Sequence, residues 1–362
     1  MGGKTRNYYA GGNTARGFHN LFESNLSGLE RLFILKGGPG TGKSTMMKTI
    51  GSKWNDDGYD VEYIHCASDN ESIDGVIIRD LKIGIVDGTS PHVIEPAAPG
   101  AVEEYVNLGE AWNSSTLAQK KDDILSLNDK IKSCYKSSYQ SFFEALLIHD
   151  EWEKFYIENM DYKKADEVCE KLINTYFKKK QDKKPAVYHR FLGAATPKGA
   201  VDFVPNLTED VKQRIFIKGR PGSGKSTLLK KLSSKAEEYG YDTEIYHCGF
   251  DPHSLDMVIV RELEIAVFDS TAPHEYEPER DGDTILDMYE ATITPGTDEK
   301  FAAELEDVRN RYSSKMKEAI SFLTEAKVMH DQLEGIYAEA MDFNIINAIH
   351  QKIDKEIEKL SH

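Results

Sequence analysis

The chain has 362 residues, with 45 Lys and Arg against 61 Asp and Glu and a formal net charge of −16. That length leaves room for two or three domains, and the acidic balance argues against a general nucleic-acid surface, which would show a basic stripe. The cysteines, Cys66, Cys134, Cys169 and Cys248, show no secreted framework and no C-x-x-C spacing, so they read as reduced thiols of a cytoplasmic protein. The stretch around Lys4, Arg6 and Asn7 lacks the apolar core of a signal peptide, and no apolar run is long enough to span a bilayer.

In chain order, a short strand near Tyr8–Ala10 precedes the apolar run Leu32-Phe33-Ile34-Leu35, which leads into Gly37-Gly38-Pro39-Gly40-Thr41-Gly42-Lys43-Ser44-Thr45. This segment fits G-x-x-x-x-G-K-[ST] between a strand and a helical pattern. In such a loop the backbone N–H groups and the helix N-terminus turn toward phosphate, a lysine neutralises it, and the following hydroxyl reaches Mg²⁺. The helix runs to the turn Gly58-Tyr59-Asp60. A second strand (Val61–His65), a short linker and a third strand (Ile83–Val86) ending in Asp87 follow. Strands alternating with helices predict an α/β fold with a mainly parallel sheet. Beyond Pro96 strand signals vanish. Val102–Phe177 reads as a helical hairpin, with Ile124, Leu127 and Ile131 on one face, and such a hairpin projects well beyond a small sheet domain. The lysine-rich run Lys178–Lys184 before Pro185 reads as a solvated joint.

The same order then repeats. A strand at Tyr188–Leu192 and the run Ile215-Phe216-Ile217 lead into Gly219-Arg220-Pro221-Gly222-Ser223-Gly224-Lys225-Ser226-Thr227, followed by strands Thr243–His247 and Ile265–Phe268, then Asp269. With Lys43 placed on Lys225 the copies align without a gap to Pro96 and Pro278, about half the positions being identical. After one deletion His149-Asp150 matches His330-Asp331, and Met160-Asp161 matches Met341-Asp342. The duplicated unit is a whole domain. Its copies are 1–181 (sheet core 6–100, helical region 101–178) and 182–362 (sheet core 187–282, helical region 283–361, with Thr284–Leu360 its helical stretch).

The expected phosphate-binding residues are Gly38, Gly40, Thr41, Gly42, Lys43, Ser44 and Thr45, and Arg220, Gly222, Ser223, Gly224, Lys225, Ser226 and Thr227. Ser44 with Asp87, and Ser226 with Asp269, are the expected Mg²⁺ ligands. Neither aspartate is followed by glutamate, so the group that orients a nucleophile must lie elsewhere. Candidates are Glu95 and Glu277, His92 and His274, and Asp69 and Asp251, the last pair at the strand edge where ligands bind in open α/β sheets. Arg79 and Arg261 are candidates for neutralising a transferring phosphoryl group. Arg220 replaces Gly38, which predicts unequal sites. Adjacent His65-Cys66 side chains on a strand point to opposite faces, which disfavours a metal centre.

Both loops with their aspartates resemble those of P-loop NTPases. The first loop is similar to that of nucleoside monophosphate kinases, and Asp87-Gly88-Thr89-Ser90-Pro91 faintly resembles the Asp-Gly-x-Pro of adenylate kinases, with His92 where those carry arginine. Over its length the chain resembles a family of duplicated bacterial ATP-binding proteins, through Ser72-Ile73-Asp74-Gly75-Val76 and Asp87-Gly88-Thr89-Ser90-Pro91-His92. The resemblance implies ATP binding and no known substrate, and the loop hydroxyls with the strand-end aspartates add Mg²⁺ to the expected ligands. Three readings stay open: an ATPase coupling two pseudo-symmetric sites to its helical arms and through them to a protein partner, a nucleotide or small-molecule kinase with the hairpin as lid, and a non-hydrolysing ATP-gated scaffold.

Overall fold

The computed structural model describes residues 2–361. Its first half contains β1 (Thr5–Tyr9), a hairpin of β2 (Gly11–Thr14) and β3 (Gly17–Asn20), α1 (Phe22–Leu26), β4 (Arg31–Lys36), α2 (Lys43–Asp56), β5 (Val61–His65), β6 (Ile73–Ile78), β7 (Ile83–Asp87), β8 (Glu103–Asn107), α3 (Ser114–Gln119), α4 (Lys121–Ile157) and α5 (Tyr162–Tyr176). The second half repeats this order with β9 (Val187–Phe191), β10 (Gly193–Thr196), β11 (Gly199–Asp202), α6 (Val204–Leu207), β12 (Gln213–Lys218), α7 (Lys225–Glu238), β13 (Thr243–His247), β14 (Leu255–Val260), β15 (Ile265–Asp269) and β16 (Asp283–Asp287). Helices α8 (Met288–Thr292), α9 (Thr297–Lys300), α10 (Ala302–Glu339) and α11 (Phe343–Leu360) complete it. Among the described residues no helix is long and apolar enough to cross a membrane.

Twelve strands form one mixed sheet in the order β16-β12-β15-β14-β13-β9-β1-β5-β6-β7-β4-β8. Within each half every strand runs one way except β6 or β14, which is antiparallel to both neighbours. The halves meet antiparallel at a single register pair, Tyr9 with Phe191.

The segment read as a linker holds β6 and β14, where Asp74-Gly75 in one copy and Asp256 in the other interrupt the apolar run that would have announced a strand. Strand pairing also continues past Pro96 and Pro278. Glu103-Glu104-Tyr105-Val106-Asn107 is an edge strand on β4, and its charged, half-exposed side chains hide it from an apolar-run criterion.

Alternation along the strands divides the core by sheet face. Leu32 and Ile34 point into a cluster shared by both halves, with Tyr8, Ile64, Phe216 and Tyr246. Phe33 and Leu35 point the other way, into a cluster with Met46, Met47 and Ile50 of α2. That second cluster is closed by Ile346, Ile353 and Ile357 of α11, from the far end of the chain. Reciprocally, Cys169 of α5 and the following Phe177 close the cluster under α7 in the second half, beside Leu228, Leu229 and Leu232. Each half therefore covers the sheet of the other. The C-terminal helical hairpin expected of each half is an exchange of arms instead, with α11 seated on the first half's cluster and α5 on the second's.

The long arms α4 and α10, of 37 and 38 residues, pack antiparallel. Phe142 and Leu146 meet Ala319 and Leu323, Ser138 Oγ donates to the Ala319 carbonyl at 2.9 Å, and Arg311 pairs with Glu151 at 2.7 Å. Because α11 belongs to the first half's core, Ile353→Val is expected to destabilise that core by about 1 kcal/mol. Urea unfolding followed by tryptophan fluorescence checks this, with Trp112 and Trp152 replaced by Phe so that Trp54, in the same cluster, is the reporter.

Candidate functional site

Each glycine-rich loop follows β4 or β12, the strand one in from the outer edge of its half, and ends as α2 or α7 begins at Lys43 or Lys225. The lysines fold back over their loops. Lys43 Nζ donates to the carbonyls of Gly37 and Gly38 at 3.0 and 2.8 Å, and Lys225 Nζ to that of Arg220 at 2.9 Å. Thr41 and Ser223 brace the same turns through hydroxyl bonds to the carbonyls of Gly38 and Arg220.

The strand-end aspartates stand where the sequence puts them. Register pairs Leu35 with Asp87 and Ile217 with Asp269, and each carboxylate lies 3.6 Å from its lysine. Thr89 and Thr271 hold one carboxylate oxygen by backbone N–H and hydroxyl, leaving the other to face the ammonium. Ser44 Oγ accepts from the Ile73 N–H and Ser226 Oγ from the Leu255 N–H, both at 3.0 Å, so the hydroxyls are fixed at the mouth of β6 and β14. Thr45 and Thr227 point outward and are exposed.

The antiparallel strand brings in a carboxylate the sequence reading did not assign. Asp74 and Asp256 sit one residue past that mouth, buried beside Asp87 and Asp269. Burial and then the neighbouring Asp269 push Asp256 up to about 6; burial raises Asp74 as well, against the pull of His92. The repeat of Asp74 as Asp256 was a signal in the sequence, but only the strand shows where it points.

The other sequence candidates separate. Arg79 and Arg261 follow the far ends of β6 and β14, so the antiparallel direction carries them to the sheet edge opposite the loops, where they pair with Glu62 and Glu244. Neither arginine stands where a phosphoryl group at the loops would be, contrary to the sequence expectation. His92 is buried 3.2 Å from Asp74, and His274 Nδ1 bonds Asp202 at 2.7 Å. Glu95 accepts from Tyr105, and Glu277 pairs with Lys218 at 2.6 Å. Asp69 accepts from Ser72 and faces Lys327 of α10 at 3.6 Å, whereas Asp251 pairs with Arg16 at 2.8 Å. His65 bonds Asn7 rather than joining Cys66, which lies near Asp74 and His92. Arg220 turns away from its loop to Asp298 at 3.0 Å and lies over Tyr289, while Gly38 at the same position leaves room for the rings of Tyr337 and Trp112.

Arm exchange completes both sites. A Cβ on Gly40 would stand 2.6 Å from the backbone oxygen of Glu334 in α10, and a Cβ on Gly222 would stand 2.6 Å from that of Glu153 in α4. Both glycines also have positive φ, +67° and +74°, so a side chain is disfavoured twice over. Glu153 and Glu334 are matching residues of the repeat, each four positions after a histidine of the His-Asp pair, with His149 Nδ1 3.8 Å from Glu153 and His330 Nδ1 3.6 Å from Glu334. Burial raises Glu153 and Asp150 adds to it, opposed by Lys225 and the Gly222 amide of the loop below. Burial lowers His149. From the antiparallel pairing of the arms, the two loops lie about 40 Å apart at opposite ends of the arm pair. Compared with protein-family models, curated proteins and solved structures, the chain shows no significant match.

Proposed function

We propose that each half is a P-loop NTPase unit and that the chain is an ATPase whose two sites are coupled to the exchanged arms. The observation that carries this reading is the same constellation in both halves: a glycine-rich loop entering a helix, its lysine on the loop carbonyls, and a strand-end aspartate 3.6 Å from the ammonium. A triphosphate would take the place of those carbonyls as the lysine's partner and meet the loop N–H groups at the helix N-terminus. Ser44 with Asp87, and Ser226 with Asp269, are oxygen donors suited to Mg²⁺, which when bound screens phosphate charge. Asp74 and Asp256 add a second carboxylate to each set.

Coupling follows from what already occupies the loops. An arm helix rests its backbone on Gly40 or Gly222, so phosphate and arm share one small space, and nucleotide shifts the arm by as much as its affinity differs between arm positions. Exposed Phe143, Leu147 and Val328 on the arms suit a protein partner.

Calorimetric titration of the full chain with Mg-ATP is expected to resolve two sites of unequal affinity. One loop is roofed by Trp112 and Tyr337, and the other is bordered by the Arg220–Asp298 pair. Absence of heat overturns the nucleotide reading; two equal constants overturn the inequality.

A further inference from the structure

We infer that each site takes its water-orienting carboxylate in trans: Glu334, carried by the second half's arm, serves the first loop, and Glu153, carried by the first half's arm, serves the second. This rests on the ATPase reading. It also answers a question that reading leaves open, because Asp87 is followed by Gly88 and Asp269 by Ser270.

Arg79 and Arg261 are on the opposite edge; His92 is held by Asp74 and His274 by Asp202, Glu95 by Tyr105 and Glu277 by Lys218, Asp69 by Ser72 and Lys327 and Asp251 by Arg16. Asp74 and Asp256 lie with the Mg²⁺ set, beside Asp87 and Asp269. Against these, Glu334 and Glu153 come to the same glycine of each loop by the same backbone contact. The contact recurs in both halves between matching residues of the repeat, so it is a feature of the duplicated unit and not of one half's packing.

In the proposed step a water oxygen bonds to the γ-phosphorus while the bond from that phosphorus to the β–γ bridging oxygen breaks. The bridging oxygen leaves with the electron pair on ADP. The attacking water's proton passes to the glutamate carboxylate, which then releases it to solvent. A carboxylate fits this task because it accepts a proton and hydrogen-bonds water in one geometry. His149 and His330, one turn back, are neighbours of the carboxylates and are given no chemical role.

The wiring is tested by crossing loop and arm lesions in the full-length chain. Lys43→Ala disables the first site and leaves turnover to the second. Adding Glu153→Gln to it is expected to cut the remaining phosphate release by about 10²-fold or more, with Mg-ATP affinity by calorimetry within about twofold of Lys43→Ala alone, as a role in turnover rather than binding requires. Adding Glu334→Gln does not compound the loss, since both lesions then fall in one site; the mirror set on Lys225→Ala reverses the pattern. If Lys43→Ala with Glu153→Gln keeps its phosphate release, or if Glu334→Gln is the lesion that compounds, the trans assignment is wrong and the ATPase reading survives. If Glu153→Gln tightens ATP binding and leaves turnover intact, the glutamate is only a plug for the loop, and the assignment is again overturned. Wild-type phosphate release equal to that of Lys43→Ala with Lys225→Ala instead removes the ATPase reading itself, and the assignment with it.

Discussion

Lys43→Ala combined with Lys225→Ala is expected to abolish ATP-dependent phosphate release, each single change removing the contribution of its own site by about 10²- to 10³-fold, the scale on which a preorganised charge at a reacting centre is worth. In both halves the ammonium's hydrogen-bond partners are loop carbonyls, and its aspartate stands at 3.6 Å, beyond hydrogen-bond distance. Such a cation is held in place by weak partners, ready for a stronger one. Removing it leaves Asp87 beside Asp74, or Asp269 beside Asp256, with less compensation. Asp256, already pushed up to about 6, relieves this by taking a proton, so the fold is expected to survive. Phosphate release by the purified double variant, with its melting temperature as control, checks the prediction; release at the wild-type rate from a folded double variant refutes it.

The largest effect on stability is expected from Arg190→Met at the seam between the halves. Arg190 is 2% exposed and belongs to both halves at once. It donates to Glu62 and Glu244 at 3.1 Å each and to Asn25 at 2.9 Å, and its guanidinium lies 4.0 Å from the ring centre of Tyr8. The equivalent residue of the first half is Tyr8, which donates to Glu62 at 2.8 Å, so one arginine serves two symmetry-related carboxylates. Removing one member of a buried ionic network costs about 3–5 kcal/mol. The lower end is expected, because Arg79 remains on Glu62 and Arg261 on Glu244. Urea unfolding measures the loss. Adding Glu62→Gln and Glu244→Gln should deepen the loss, because Arg79 then has no carboxylate partner and Arg261 keeps only Asp210.

The same network sets an acid limit. Burial by itself would raise Glu62 and Glu244, but the guanidiniums of Arg190 with Arg79 or Arg261, and the tyrosine hydrogen bonds, outweigh it and hold both carboxylates below their ordinary value. Groups depressed in the folded state contribute stability that is fully present above the unfolded value and is lost as pH falls through the folded one. Wild-type stability from this source therefore holds above the ordinary glutamate range, about pH 4 to 4.5, and declines only below it. Arg190→Met should flatten that decline.

What could be read from the chain follows from how each feature is encoded. The strands Val61–His65 and Thr243–His247 were legible to the residue although Glu62 and Glu244 interrupt them, and the apolar runs of β4 and β7 were legible to within one residue at each end. Strands with buried or edge charge were not: Asp74-Gly75 inside β6 reads as a turn, and Glu103-Glu104 in β8 reads as a helix surface. The loops, their lysines and the strand-end aspartates were legible because they are local. The arm glutamates were not, since Glu334 meets Gly40 across nearly the whole chain and no short-range pattern reports such a contact. Their signal was the duplicated His-Asp pair, which showed that something on the arms had been kept twice without showing which loop it faced.

The way each half lends its last helix to the other also bears on ancestry and assembly. An unfused ancestor with this architecture would have been a reciprocally swapped homodimer. Joining the two chains turns that pair into a single molecule that satisfies its own swap. Such a closed exchange has no free acceptor surface left for a third half, so chain-to-chain swapping into open polymers is blocked for as long as α5 and α11 stay seated.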